Sequence, residues 1–276
     1  MIESLKYKIL VLDIDGTLTN SRSEITQHTF ETLERAQQQG VRLVLASGRP
    51  TYGITPIARR LKMDKYGGFI LSFNGGKIID LSKDEAVFST TLSREFVPRL
   101  HQLALAHNTI ILSYDQQDNI IAEDIEDQYV LKEVLFTGMK TRRVENFSDE
   151  VTYDIDKCLI VGDPENIEPL RDAVVGELGS QLNAFCSHPF FLEVVPKEID
   201  KAQSLARLLE YTGEERESMI TIGDGMNDLS MIEFAGLGVA MSNAMEPVKE
   251  VADYITLSND QDGVAYMVEK FIFGNN

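Results

Sequence analysis

The sequence predicts a doubly wound, Rossmann-like parallel α/β sheet interrupted by an inserted α+β domain. Three observations carry this reading. Near-continuous apolar runs alternate with helix-forming segments from the start of the chain, the pattern of a parallel sheet covered on both faces. From about Leu81 the segments become more polar and hairpin-like. After about Pro189 the first texture returns. The expected limits are 1–82 and 190–276 for the core and 83–189 for the insertion.

Tyr7-Lys8-Ile9-Leu10-Val11-Leu12 is a short apolar run and reads as a buried strand. Glu24 to Gln39 carries helix formers and stops at Gly40. Val41 to Ala46 reads as a second strand. Thr51 to Leu61 reads as a helix whose early part Gly53 and Pro56 weaken. Gly68 to Ser72 is a third strand, closed by the turn Asn74-Gly75-Gly76. In the insertion, Ser93 to His107 suits a helix with a Ser cap, complicated by Pro98. Thr109 to Tyr114 and Asn119 to Ala122 read as strands around Asp115-Gln116-Gln117-Asp118. Helices are expected near Asp124 to Phe136 and Pro164 to Leu178, and strands near Lys157 to Val161 and Gln181 to Cys186. Arg142 and Arg143 read as a solvated charged strand or loop. In the returning core, Ile199 to Tyr211 is a helix ending at Gly213. Met219 to Gly223, Gly238 to Met241 and Asp253 to Thr256 are strands.

The 276 residues are 43% hydrophobic and 25% charged, ordinary for a globular protein. A formal net charge of −18 argues against a nucleic-acid surface, which needs clustered Lys and Arg. Cys158 and Cys186 lie in or beside apolar runs, as buried free thiols or, alternatively, one disulfide. No Cys/His spacing suits zinc. No apolar stretch approaches a membrane span and no signal peptide is read at the N-terminus, so a cytoplasmic protein is expected.

The chemistry gathers at strand ends. Asp13-Ile14-Asp15-Gly16-Thr17 follows the first strand, and Gly16 allows a sharp turn behind two carboxylates. Gly223-Asp224-Gly225-Met226-Asn227-Asp228 repeats this arrangement after a later strand. Each is also readable as an Asp-rich turn or helix cap. Four Asp at two such loops concentrate negative charge that a cation would relieve, and oxygen-only ligands suit Mg²⁺. Ala46-Ser47-Gly48-Arg49-Pro50 follows another strand; a Ser hydroxyl beside Gly suits phosphate oxygens, or a simple helix cap. Lys201 opens a helix and could add positive charge, as could Lys197; surface exposure is the plainer fate of either.

Together these residues resemble the haloacid dehalogenase superfamily of aspartyl-phosphate phosphohydrolases. Asp13-Ile14-Asp15-Gly16-Thr17 looks like its first motif and Ser47 its second. Lys201 looks like the third, and Gly223 to Asp228 the fourth. The long insertion and Ser72-Phe73-Asn74-Gly75-Gly76 resemble the Cof-type subfamily with a large α/β (C2B-type) cap. The resemblance spans essentially the whole chain. Two departures are small: Lys201-Ala202 where the family often has Lys-Gly, and Asn74-Gly75-Gly76 where Asn-Gly-Ala is frequent.

The resemblance implies that Asp13 is the nucleophile and Asp15 the acid and base, with Lys201 neutralising charge. It implies phosphate binding by Ser47, Gly48, Lys201 and Asn227. Mg²⁺ would be held by Asp13, Asp224 and the Asp15 main-chain carbonyl, with Asp228 orienting metal-bound water. The cap would close over the site and select the leaving group, with Asn74, Lys77, Arg142, Arg143 and His188 as unplaced polar candidates. The implied function is hydrolysis of a small phosphorylated metabolite, such as a sugar phosphate or phosphorylated cofactor, by a monomer or homodimer. A phosphotransferase or mutase and a catalytically weak phosphate-ligand sensor are the alternatives.

Overall fold

The computed structural model describes residues 5–274; residues 1–4 and 275–276, which the expected core limits include, lie outside the described residues. Among the described residues, fourteen strands follow one another. In chain order they are β1 (Ile9–Leu12), β2 (Arg42–Ala46), β3 (Phe69–Ser72), β4 (Lys77–Asp80), β5 (Glu85–Ser89), β6 (Ile110–Tyr114) and β7 (Asn119–Ala122). Then come β8 (Lys140–Arg143), β9 (Cys158–Val161), β10 (Leu182–His188), β11 (Phe191–Pro196), β12 (Met219–Gly223), β13 (Leu237–Ala240) and β14 (Tyr254–Ile255). They divide between two compact units, one of residues 1–88 with 200–276, the other of residues 89–199.

The first unit is built on an eight-stranded sheet in the order β14-β13-β12-β1-β2-β3-β4-β5. The six strands from β14 to β3 run parallel, and β4 turns back antiparallel on β3. Every residue of β1, β3 and β12 is buried, which requires cover on both faces of the sheet. Helix Gln27–Gln38 starts at Thr26, whose hydroxyl accepts the Thr29 N–H at 3.1 Å. Helix Thr51–Arg60 holds Pro56 in its interior, at the loss of one backbone hydrogen bond. Helix Lys201–Thr212 is capped by Asp200, whose carboxylate accepts the Gln203 N–H at 2.8 Å, and ends at Gly213 with φ +69°. Lys201 is therefore its first residue.

The second unit has a six-stranded sheet in the order β10-β11-β9-β6-β7-β8, antiparallel except for the β7–β8 pair. Helices Val97–Ala106 and Pro164–Leu178 bring Leu100, Leu103, Ile167 and Leu170 into one cluster with Ile111, Ile160 and Leu192 of the sheet. Pro98 is the second residue of its helix, where a missing N–H costs nothing, so it starts the helix instead of breaking it. Lys157 and Glu193 form a buried ion pair at 2.7 Å. Both cysteines are free, Cys158 buried and Cys186 half-buried.

One expectation needs correction. The insertion limits of 83 and 189 move to 89 and 199. At the near end, Glu85–Ser89 adds an edge strand to the core sheet. At the far end, Phe191–Pro196 pairs with β10 and β9, so it belongs to the insertion. Arg142 and Arg143, readable as a solvated charged strand or loop, fall in the edge strand β8, where charged side chains reach solvent.

Candidate active site

The neighbouring parallel strands β12, β1, β2 and β3 all end on one side of the core sheet. Their carboxyl ends lead directly into Asp224, Asp13, Ser47 and the Phe73–Gly75 turn. Open parallel sheets place ligands at this edge. The Asp13 N–H continues the ladder by donating to the Ile222 carbonyl at 3.0 Å, which fixes Asp13 against the β12 loop. Gly16 then turns at φ +78°. A Cβ there would collide with the Asp224 carboxylate, so the two acidic loops meet at this glycine.

Lys201 is the hub. It is 1% exposed, and its ammonium donates to Asp13 Oδ1 at 2.8 Å, Asp228 Oδ1 at 2.5 Å and the Ala46 carbonyl at 2.8 Å. Three donors meet three acceptors, which satisfies a buried ammonium in full. Burial disfavours its charge, but Asp13 and Asp228 outweigh that, and the net displacement of its pKa is upward. Asp228 is spent on structure: its Oδ2 accepts the N–H groups of Asp224 at 3.0 Å and Gly225 at 2.9 Å. Thr17 donates its hydroxyl to Asp224 Oδ1 at 2.7 Å.

Carboxylate oxygens of Asp13, Asp224 and Asp228 lie within 4.8 Å of one another. One lysine cannot neutralise three such charges. Burial, followed by the charge of Asp228, holds the Asp13 carboxyl well above the usual carboxylate range despite Lys201. Burial and then Asp228 likewise push Asp224 up to about 6, against the opposing Thr17 hydrogen bond and Lys201. An all-oxygen donor set with uncompensated negative charge fits a small divalent cation such as Mg²⁺. Within this set, Asp13 and Asp224 have carboxylate capacity to offer it, whereas both oxygens of Asp228 are already engaged.

The carboxylate of Asp15 stands apart from that cluster. Arg49 grips it with two bonds, Nε to Oδ2 at 2.8 Å and Nη2 to Oδ1 at 2.5 Å. Sequence reasoning quoted Arg49 beside Ser47 and Gly48 but gave it no role, because its partner lies far upstream in the chain. Ser47 is buried, and its Oγ accepts the Arg49 N–H at 3.2 Å, which leaves the hydroxyl proton to donate elsewhere. Gly48 faces the Asn74 side chain, and Asn227 donates its amide to Asn74 Oδ1 at 3.1 Å. All eight residues singled out from the sequence thus sit at this edge, with Thr17, Arg49 and Asn74 beside them.

Other polar candidates have different occupations. Arg142 pairs with Asp115 at 2.9 Å and Glu150 at 2.8 Å within the inserted unit. His188 packs among the rings of Phe136, Phe190 and Phe191. Lys197 lies in the inserted unit, whereas Lys201 reaches Asp13.

Comparison with known proteins follows the same lines. A family model described as haloacid dehalogenase-like hydrolase matches residues 10–268. A haloacid dehalogenase-like hydrolase of known crystal structure from Bacteroides thetaiotaomicron is 52% identical, with TM-score 0.91 over 96% of this chain and 99% of that one. The subclass IIB sugar phosphatase BT4131 is 25% identical with TM-score 0.82, over 98% of this chain and 100% of that one. The 5-amino-6-(5-phospho-D-ribitylamino)uracil phosphatase YcsE of Bacillus subtilis (strain 168) is 30% identical over 272 residues, covering 98% of each chain. Among the described residues, no helix is long and apolar enough to cross a membrane.

Proposed function

This chain belongs to the haloacid dehalogenase-like hydrolase family, and from that premise we propose that it is a Mg²⁺-dependent phosphatase of small phosphorylated metabolites. The observation that carries the proposal is the buried Lys201 ammonium shared between Asp13 and Asp228. It holds Asp13 Oδ1 and turns the other oxygen, Oδ2, into the natural nucleophile. In-line attack on phosphorus forms an aspartyl-phosphate at Asp13 and releases the substrate oxygen.

Charge is the main obstacle, because a carboxylate must approach a phosphate dianion. Lys201 offsets part of the repulsion from a fixed position and needs no reorganisation as the reaction proceeds. Asp13, Asp224 and the Asp15 carbonyl would hold Mg²⁺, which when bound supplies further neutralisation of phosphate oxygens. Ser47 donates its hydroxyl proton to a phosphate oxygen, and Gly48 permits close approach of the backbone. Asn227 adds an amide to the same pocket.

Asp15 serves as acid for the leaving oxygen and then as base for the water that cleaves the intermediate, a role worth roughly 10²–10⁴-fold in rate. Both of its oxygens are held by Arg49 in the structure, so acid catalysis requires that pair to open. A sugar phosphate or a phosphorylated cofactor is the expected substrate class, by analogy with the sugar phosphatase and YcsE.

The test is Asp13→Asn assayed with Mg²⁺ and p-nitrophenyl phosphate. Turnover should vanish with the circular dichroism spectrum unchanged. Steady-state activity near that of the unaltered protein would remove Asp13 as nucleophile. A panel of phosphorylated metabolites, scored by phosphate release, then identifies the substrate.

A further inference from the structure

The turn after β3 is strained in a way that ordinary chain reversal does not need. Phe73, Asn74 and Gly75 have φ values of 53°, 56° and 97° in succession. Gly75 takes such a conformation freely, whereas Phe73 in particular does so only under constraint. The constraint is visible on both sides. The Phe73 N–H donates to the Arg49 carbonyl at 3.1 Å, and the Asn74 N–H donates to the Ser47 carbonyl at 3.0 Å. On the other side, the Ser204 hydroxyl donates to the Gly75 carbonyl at 2.7 Å, one turn along the helix that Lys201 opens. A Cβ at Gly75 would strike that Ser204 side chain, so nothing but glycine fits there.

This strained turn delivers the Asn74 side chain. It is 3% exposed, lies against Gly48, and accepts the Asn227 amide through Oδ1. A Cβ added to Gly48 would come within 3.0 Å of Asn74 Nδ2. Among the described residues that Nδ2 has no hydrogen-bond acceptor. A buried amide without a partner is costly, and backbone strain that persists at a site points to a function for the group it positions. The orphan donor sits between Gly48 and Asn227, both members of the phosphate pocket.

We propose that Asn74 is a phosphate-binding residue whose Nδ2 donates to an oxygen of the transferred phosphoryl group, with Asn227 holding the amide through Oδ1. The proposal rests on the phosphatase reading of the site and extends it to the strand β3 turn. Ser47, Lys201 and Asn74 then approach the phosphoryl group from three separate elements.

The test uses the full chain with Mg²⁺, p-nitrophenyl phosphate as substrate and inorganic phosphate as competitive inhibitor. Asn74→Gly retains the backbone conformation and removes the amide; Asn74→Asp retains the shape and replaces the donor with an acceptor. Both should lower kcat/KM by about a hundredfold, the usual effect of losing one donor to a transition-state oxygen. Both should also weaken inhibition by phosphate at least tenfold, with Tm within a few degrees of the unaltered protein. Inhibition by phosphate unchanged within twofold in a folded Asn74→Gly variant would overturn the proposal. So would collapse of Tm in both variants, since that marks a purely structural residue. If the unaltered protein hydrolyses the substrate and Asp13→Asn does not, failure at Asn74 leaves the phosphatase reading standing. An unaltered protein that neither hydrolyses the substrate nor binds phosphate overturns both.

Discussion

Lys201→Met should leave the buried carboxylates of Asp13 and Asp228 without their shared cation. The change keeps the length of the stem and removes the ammonium from Asp13 Oδ1, Asp228 Oδ1 and the Ala46 carbonyl. Two buried carboxylates then face each other without a cation. Breaking a buried ion pair by deleting one partner costs about 3–5 kcal/mol. At roughly 2–4 °C per kcal/mol for a domain of this size, melting of the core should fall by about 6–20 °C. The defect should depend on pH with a definite sign. Burial and Asp228 already hold the Asp13 carboxyl above its ordinary range, with Lys201 opposing them. Without Lys201 the folded variant binds protons more tightly than the unfolded chain, so acidification stabilises it. The deficit should therefore be larger at neutral to alkaline pH and shrink on acidification. Mg²⁺ should recover part of it by replacing the lost positive charge. Thermal and urea melts of both proteins, at several pH values with and without Mg²⁺, measure all of this. A loss under about 1 kcal/mol at neutral pH, or one that grows on acidification, would refute the argument.

Gly16→Ala should cost about 1–3 kcal/mol through its positive φ and displace Asp224, visible as lower Tm and at least tenfold weaker Mg²⁺ binding by calorimetry. Because burial pushes the Asp224 carboxyl up to about 6 and also holds that of Asp13 above its usual range, Mg²⁺ affinity should weaken on acidification as protons compete, which titrations across pH 5–8 would show. Asp115 behaves in the opposite sense. Burial works against its charge, but hydrogen bonds from Asn119, Arg142 and Gln117 prevail and hold its carboxyl below the usual range. That stabilises the inserted unit at neutral pH and is lost as acid passes through its lowered pKa, so Asp115→Asn should flatten the acid limb of the melting curve.

The legible parts of the chain were those where chemistry and local pattern coincide. Runs such as Ile9–Leu12 and Met219–Gly223 are buried on both faces, and a strand of that kind shows itself by composition alone. Their carboxyl ends are where the reactive side chains stand, so finding the strands also located Asp13, Ser47 and Asp224. The edge strand Lys140–Arg143 carried no such signal, because an edge facing water has no need of apolar residues. Phe191–Pro196 was not singled out as a strand and was placed with the returning core: its partner is chosen through register with Cys158–Val161, which no local pattern encodes. The grip of Arg49 on Asp15 was hidden for a similar reason. Each residue stood in a quoted motif, yet their pairing depends on β1 and β2 lying side by side.

The register Ile9↔Met219 has a consequence for assembly of the chain. Those residues stand about 210 positions apart, so the central pair of the core sheet closes a loop that contains the whole inserted unit. Loop-closure entropy grows only with the logarithm of length, about 0.6 kcal/mol per doubling. The inserted unit roughly doubles this loop and so adds only about that much. The price is kinetic: a sheet whose middle strands come from opposite ends of the chain has a high contact order and folds late. The contiguous inserted segment can gain its own sheet while the core still waits for its second half to be synthesised. Residues inserted or removed there would scarcely alter the equilibrium of the core, and β12 would still deliver Asp224 and Asp228 beside Asp13.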